Sequence, residues 1–170
     1  MTPLIESEPA VGDIKDCRDA TCHMAIPIPF VRLHPDAAPP HRGSAAAAGW
    51  DLRSIERVTL SRGVIHRIPT GLAVAIPLGY EGQIRCRSGL ASKGMMLPNG
   101  VGTIDADYRG ELQVLATYLG PESCLVLEAG ERVAQLVISP IPDVRFGEVE
   151  SEQLPDTDRG EGGFGSTGRR

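Results

Sequence analysis

The chain has 170 residues, 41% of them hydrophobic and 23% charged, which suits one domain with a real core and excludes both wholesale disorder and a coiled coil. Gly 20 and Pro 14 disfavour long helices and favour a chain that turns often. Lys+Arg 17 against Asp+Glu 22 leaves a formal net charge of −5, which argues against a surface that grips nucleic acid or anionic lipid as a whole.

Residues 1–24 carry Glu6, Glu8, Asp13, Asp16 and Asp19 and show neither structural period, so they read as an acidic, disordered extension and not as a secretory signal. Cys17 and Cys22 lie there; with Cys86 and Cys124 they are too scattered for a disulfide scaffold, and with His23 they lack a second ligand pair at zinc spacing. No apolar run reaches the ~18 residues of a spanning helix, and the expected location is the cytoplasm.

From Ala25 the texture changes. Short apolar segments follow one another at Ile26–Leu33, Val58–Leu60, Val64–Ile68, Leu72–Ile76, Gln83–Arg87, Leu112–Leu119, Cys124–Leu127, Val133–Ile138 and Phe146–Val149. Turn signals such as Ser61-Arg62-Gly63, Pro77-Leu78-Gly79, Pro98-Asn99-Gly100, Gly120-Pro121 and Ala129-Gly130 separate them, the pattern of an antiparallel sandwich, jelly roll or small barrel. Ala45–Ala48 is too short to stand as a helix and reads as an approach to a strand at Trp50. The core is expected over residues 25–152. From 153 to 170 the chain should leave it as a mobile, glycine-rich arm.

Chemistry gathers in a few places. Arg85-Cys86-Arg87-Ser88-Gly89 ends a strand with a guanidinium, a hydroxyl and a backbone N–H that suit one anion. Asp105 and Asp107 would share a side if their segment were extended, a source for a metal pair or for a base beside a structural carboxylate. Asp51 stands beside Trp50 at a strand start, and Gln135 lies inside an apolar strand, where its amide must find partners. In the tail, glycines with Ser166 and Thr167 can turn N–H groups on phosphate oxygens, and Phe164 offers a face to a base.

Ala48-Gly-Trp-Asp-Leu52, Arg87-Ser-Gly-Leu-Ala91, Gly102-Thr-Ile-Asp-Ala-Asp-Tyr-Arg-Gly-Glu111, Gly130-Glu-Arg-Val-Ala-Gln135 and Arg159-Gly-Glu-Gly-Gly-Phe-Gly-Ser-Thr-Gly168 resemble, in order, the five motifs of the trimeric dUTPase family. The likeness runs from about residue 26 to the end. It implies an all-β jelly roll of the β-clip type, a homotrimer whose active sites draw on more than one subunit, and hydrolysis of dUTP to dUMP and pyrophosphate with Mg²⁺ carried on the triphosphate. That reaction keeps uracil out of DNA and supplies dUMP for dTMP synthesis.

Carried over position by position, the resemblance makes Asp105 the general base for the water that attacks the α-phosphorus. Tyr108 packs against deoxyribose, and the hairpin with Asn99, Gly102, Thr103 and Ile104 reads uracil. Arg87, Ser88, Gly89 and Gln135 attend the phosphates, and Asp51 meets Mg²⁺ only through water. Arg159, Phe164, Gly165, Ser166 and Thr167 belong to the closing arm. Trp50 fills the variable position of the first motif, and Gly94–Pro98 is one residue shorter than in many bacterial relatives. The rival enzyme is the related dCTP deaminase, and the rival of another class is a jelly roll kept only as a binding module; the Asp105-x-Asp107-Tyr108 run and the intact tail favour dUTP hydrolysis.

Overall fold

The computed structural model describes residues 25–163 and Ser166. In chain order the strands are β1 (Phe30–Arg32), β2 (His41–Arg42), β3 (Trp50–Arg53), β4 (Val58–Ser61), β5 (His66–Pro69), β6 (Leu72–Val74), β7 (Tyr80–Cys86), β8 (Met95–Met96), β9 (Gly102–Ile104), β10 (Gln113–Tyr118), β11 (Cys124–Leu127) and β12 (Arg132–Pro140). One helical turn, α1 (Ser88–Ala91), follows β7, and a 3₁₀ turn covers Ser151–Gln153. The strands form a five-stranded sheet in the order β2-β3-β12-β7-β9, a three-stranded sheet β5-β10-β8, and the pairs β1-β6 and β11-β4. Every pairing between these strands is antiparallel, and the sheets wrap one core as a β jelly roll.

Period-two alternation sets the core. In β10, Val114, Ala116 and Tyr118 turn inward, while Leu52 of β3, Leu60 of β4, Ile68 of β5 and Leu127 of β11 are fully buried beside them. Each buried Leu, Ile or Val side chain contributes roughly 1.5–3 kcal/mol of transfer free energy. β12 breaks its alternation where the register with β3 shifts between Arg132 and Ala134, and this irregularity lets the consecutive residues Val133 and Ala134 both face inward. The buried hydroxyl of Thr70 donates to the Leu112 carbonyl at 2.6 Å and accepts from the Leu72 N–H at 3.3 Å, tying the residue before β10 to the turn before β6.

Three expectations need correction. The strand in the Ile26–Leu33 segment starts only at Phe30: Pro27 and Pro29 carry no N–H for a ladder, although the Pro29 carbonyl accepts from the Ala75 N–H at 2.8 Å. Phe146–Val149 forms no strand: residues 141–150 are exposed, and among the described residues no sheet edge pairs with them. The segment from Asp105 to Tyr108 is a turn and not extended, so the two aspartates are not placed by strand alternation.

Candidate active site

β9 is the edge strand of the five-stranded sheet. Gly102, Thr103 and Ile104 pair with Ile84, Gln83 and Gly82 of β7 on one side, and among the described residues the other side has no strand partner. An edge strand presents unpaired backbone N–H and C=O groups, and here they border a cavity of about 300 Å³. Asn99, Gly102, Thr103, Ile104, Asp105 and Tyr108 line it, so the structure brings six of the sequence-derived site residues to one cleft. Glycine at 102 permits the approach: a Cβ there would lie 3.3 Å from the Asn99 amide nitrogen and 3.2 Å from the Ile84 Cβ.

The turn after β9 sets the carboxylate at the rim. The Tyr108 N–H donates to the Asp105 carbonyl at 3.1 Å, and the Arg109 guanidinium donates to the carbonyls of Ala106 at 2.6 Å and Tyr108 at 2.7 Å. The Tyr108 hydroxyl donates to the Glu111 carbonyl at 3.0 Å, and the ring folds across Gly110, where a Cβ would sit 2.4 Å from the hydroxyl oxygen. Asp105 is left exposed, with its side chain free to meet solvent at the cleft. The Glu111 carboxylate is a strut instead, accepting from the Gly71 N–H at 2.7 Å and from the Gln113 amide at 3.0 Å. Sequence reasoning missed Arg67, Gln113 and Leu115, which close the far wall. They come from β5 and β10, and Leu115 sits opposite Arg67 in that pair, a contact no single-segment motif carries.

A second group forms where β3, β12 and the end of β7 lie side by side. Gln135 is opposite Asp51 on one side and Arg85 on the other. Asp51, 11% exposed, takes Arg87 Nε on Oδ1 at 3.1 Å and Arg132 Nη1 on Oδ2 at 3.1 Å. Arg87 also donates to the Arg132 carbonyl at 3.2 Å, and the Gln135 amide donates to the Cys86 carbonyl at 3.4 Å. Two guanidiniums thus share one carboxylate and leave a net positive charge beside the exposed Ser88 and Gly89 of α1. Arg132 had no assigned role from sequence, and a charged residue opening an otherwise apolar strand was its only signal.

Burial pushes the Cys86 thiol above its ordinary pKa, outweighing a hydrogen bond with the Arg87 backbone. A protonated thiol is a poor nucleophile. Among the described residues no three His, Cys, Asp or Glu side chains gather as a metal site.

Arg87, Ser88, Gly89, Gln135 and Asp51 do not line the cleft. Arg87 is three residues beyond Ile84, or about 10 Å along an extended chain. Arg159 is spent on a local turn, donating to the Gly162 carbonyl at 2.7 Å, and the Ser166 N–H donates to the Gly163 carbonyl at 2.9 Å. Neither reaches the cleft. Phe164, Gly165, Thr167 and the extension 1–24 lie outside the described residues.

The dUTPase family model matches residues 36–168. The deoxyuridine 5'-triphosphate nucleotidohydrolase of Syntrophotalea carbinolica is 49% identical over 146 residues, covering 84% of this chain and 97% of that protein. Its namesake from Dinoroseobacter shibae is 50% identical over 141 residues, 76% of this chain and 87% of that protein. The Staphylococcus bacteriophage 80alpha dUTPase, solved with dUPNHPP, superposes with a TM-score of 0.77 at 32% identity, covering 85% of this chain and 99% of that one. A point mutant of the dUTPase of phage phi11 of S. aureus, in a structure that reveals the coordination of a structural Mg(II) ion, gives a TM-score of 0.69 at 27% identity over 76% of this chain and 100% of that one.

Proposed function

The chain belongs to the dUTPase family, and from that premise we propose that it hydrolyses dUTP to dUMP and pyrophosphate by attack of water on the α-phosphorus. The supporting observation is a carboxylate, Asp105, exposed at the rim of a cleft of about 300 Å³ whose wall is the free backbone edge of β9. Uracil offers two carbonyls and one N–H on its pairing edge, which the unpaired groups of β9 and the Asn99 amide can meet. Cytosine inverts part of that pattern and would leave buried partners unmatched. The Tyr108 ring, held by its hydroxyl, packs against the sugar where a 2′-hydroxyl would need room.

Asp105 accepts the proton of the attacking water as its oxygen bonds to the α-phosphorus; the bond to the bridging oxygen breaks and pyrophosphate leaves. A base positioned in this way is worth about 10²–10⁴ in rate. Arg87 with the N–H groups at Ser88 and Gly89 holds phosphate oxygens, and Gln135 supports them. Magnesium, when bound, would neutralise charge on the triphosphate. Asp51 suits a water-mediated partnership with it, since each of its oxygens already carries an arginine and direct ligation would displace one.

The working unit in this reading is a homotrimer. The phosphate-side group does not line the cleft of its own protomer, and beyond β12 Ile141, Val144, Phe146 and Val149 are exposed. An apolar groove of about 480 Å³, walled by Ile28, Phe30, Trp50, Tyr80 and Ile138, is equally uncovered by the described residues. Neighbouring copies would cover such surface and complete each site. The arm 153–170, with Arg159, Phe164, Gly165, Ser166 and Thr167, then closes over the bound triphosphate as a lid, and ordering it costs entropy that only the full substrate offsets. No helix of the described residues is long and apolar enough to cross a membrane.

The test is pyrophosphate release from dUTP beside dTTP, dCTP and UTP, with and without Mg²⁺. Release from dUTP far above the other three is expected. Ammonia from dCTP, or no preference for dUTP, would defeat the reading.

A further inference from the structure

The backbone gives no reason for glycine at position 49. Its φ lies outside the left-handed region, so an L-residue would meet no conformational penalty there. A side chain at 49 would instead meet Gln135. A Cβ would fall 2.3 Å from Gln135 Oε1 and 3.0 Å from both its Cβ and its Cδ. Non-bonded heavy atoms settle at roughly 3.5 Å, so the amide would have to move by about 1 Å.

That amide is engaged. Its Nε2 donates to the Cys86 carbonyl at 3.4 Å, at the last residue of β7. The next residue is Arg87, which leaves the strand in extended conformation, caps α1 and holds Asp51. Gln135 itself sits on the central strand β12, clamped by Asp51 on one side and Arg85 on the other. With its backbone fixed by two ladders, it can answer a push from position 49 chiefly by swinging its amide away from Cys86.

We propose that Gly49 is a positioning residue for the reaction: its missing side chain is the slot that holds the Gln135 amide against the exit of β7, and so sets where Arg87 is presented. The proposal rests on the phosphate-side role of Arg87 and Gln135 given above. It separates Gly49 from the ordinary role of a glycine in turning the chain from the Ala45–Ala48 loop into β3.

The experiment is a double-mutant cycle on dUTP hydrolysis with Gly49→Ala, Gln135→Ala and the two combined, each checked for melting temperature and oligomer size. Gly49→Ala and Gln135→Ala should each lower kcat/KM by roughly 10-fold, the double variant should be no worse than Gln135→Ala, and all should melt close to the wild type. The result that overturns the proposal is a normal Gly49→Ala enzyme, or a loss that multiplies with that of Gln135→Ala. Should Gly49→Ala fail to fold, recovery of folding in the double variant supports the steric claim, and failure of both assigns Gly49 to the fold and overturns it. Wild-type kinetics in Gln135→Ala would remove the role Gly49 is said to serve, whereas a wild-type protein inactive on dUTP would instead defeat the family reading beneath it.

Discussion

The cleft and the arginine group share strand β7 yet are assembled in opposite ways. The cleft takes most of its lining from one stretch, Asn99 to Leu115, and much of its polar surface is backbone on the free edge of β9. The arginine group is made of side chains drawn from β3, β12 and the residue after β7, held by ion pairs spanning 36 and 81 positions, from Asp51 to Arg87 and to Arg132. Backbone readout suits a neutral base whose donors and acceptors must be matched in order. Side-chain charge suits a flexible polyanion, which asks for field and reach more than for register.

If that division is right, variants of the two regions should fail differently. Asp105→Asn should have the largest effect, a loss of kcat of about 10²–10⁴ with dUTP affinity and melting temperature kept, since the carboxylate is exposed at the cleft. Single-turnover and equilibrium binding measurements check it; unchanged turnover removes Asp105 from the chemistry. Ending the chain after Asp158 should come next, lowering kcat roughly 10²-fold as the phosphates lose their cover, with the core folded and the oligomer intact by gel filtration. An unaffected rate would reject closure.

Asp51→Ala should be milder and of a different kind. It leaves Arg87 and Arg132 as adjacent cations, partly solvated at 28% and 44% side-chain exposure, so stability should fall by only about 1 kcal/mol. KM for dUTP should rise about 10-fold through misplaced arginines, and the change should be steeper at low ionic strength, where their repulsion is less screened. Equal loss of kcat at unchanged KM would contradict the division of labour.

These differences also mark what was legible in the amino-acid sequence. β11 was readable to the residue at Cys124–Leu127 because Gly120-Pro121 and Ala129-Gly130 bracket it, and the cleft's contiguous segment could be found as a single motif. The two-residue strands β2 and β8 are too short to carry a period and owe their state to β3 and β10, their partners in space. Alternation failed at Asp105 because a backbone hydrogen bond and the Arg109 guanidinium close a turn there. Phe146–Val149 has strand composition but pairs with no strand among the described residues, since propensity cannot supply a partner. The Asp51–Arg132 pair is a tertiary fact, and neither residue announces the other.

The single tryptophan stands on the wall of the uncovered apolar groove, 39% exposed and with the Arg42 guanidinium 5.6 Å from its ring centre. An indole in that place emits according to how much water reaches it. Covering the groove should shift the emission of the native protein to shorter wavelength. If the proposed trimer is what covers it, dilution through its dissociation range could be followed optically, without a dye, a tag or a substrate.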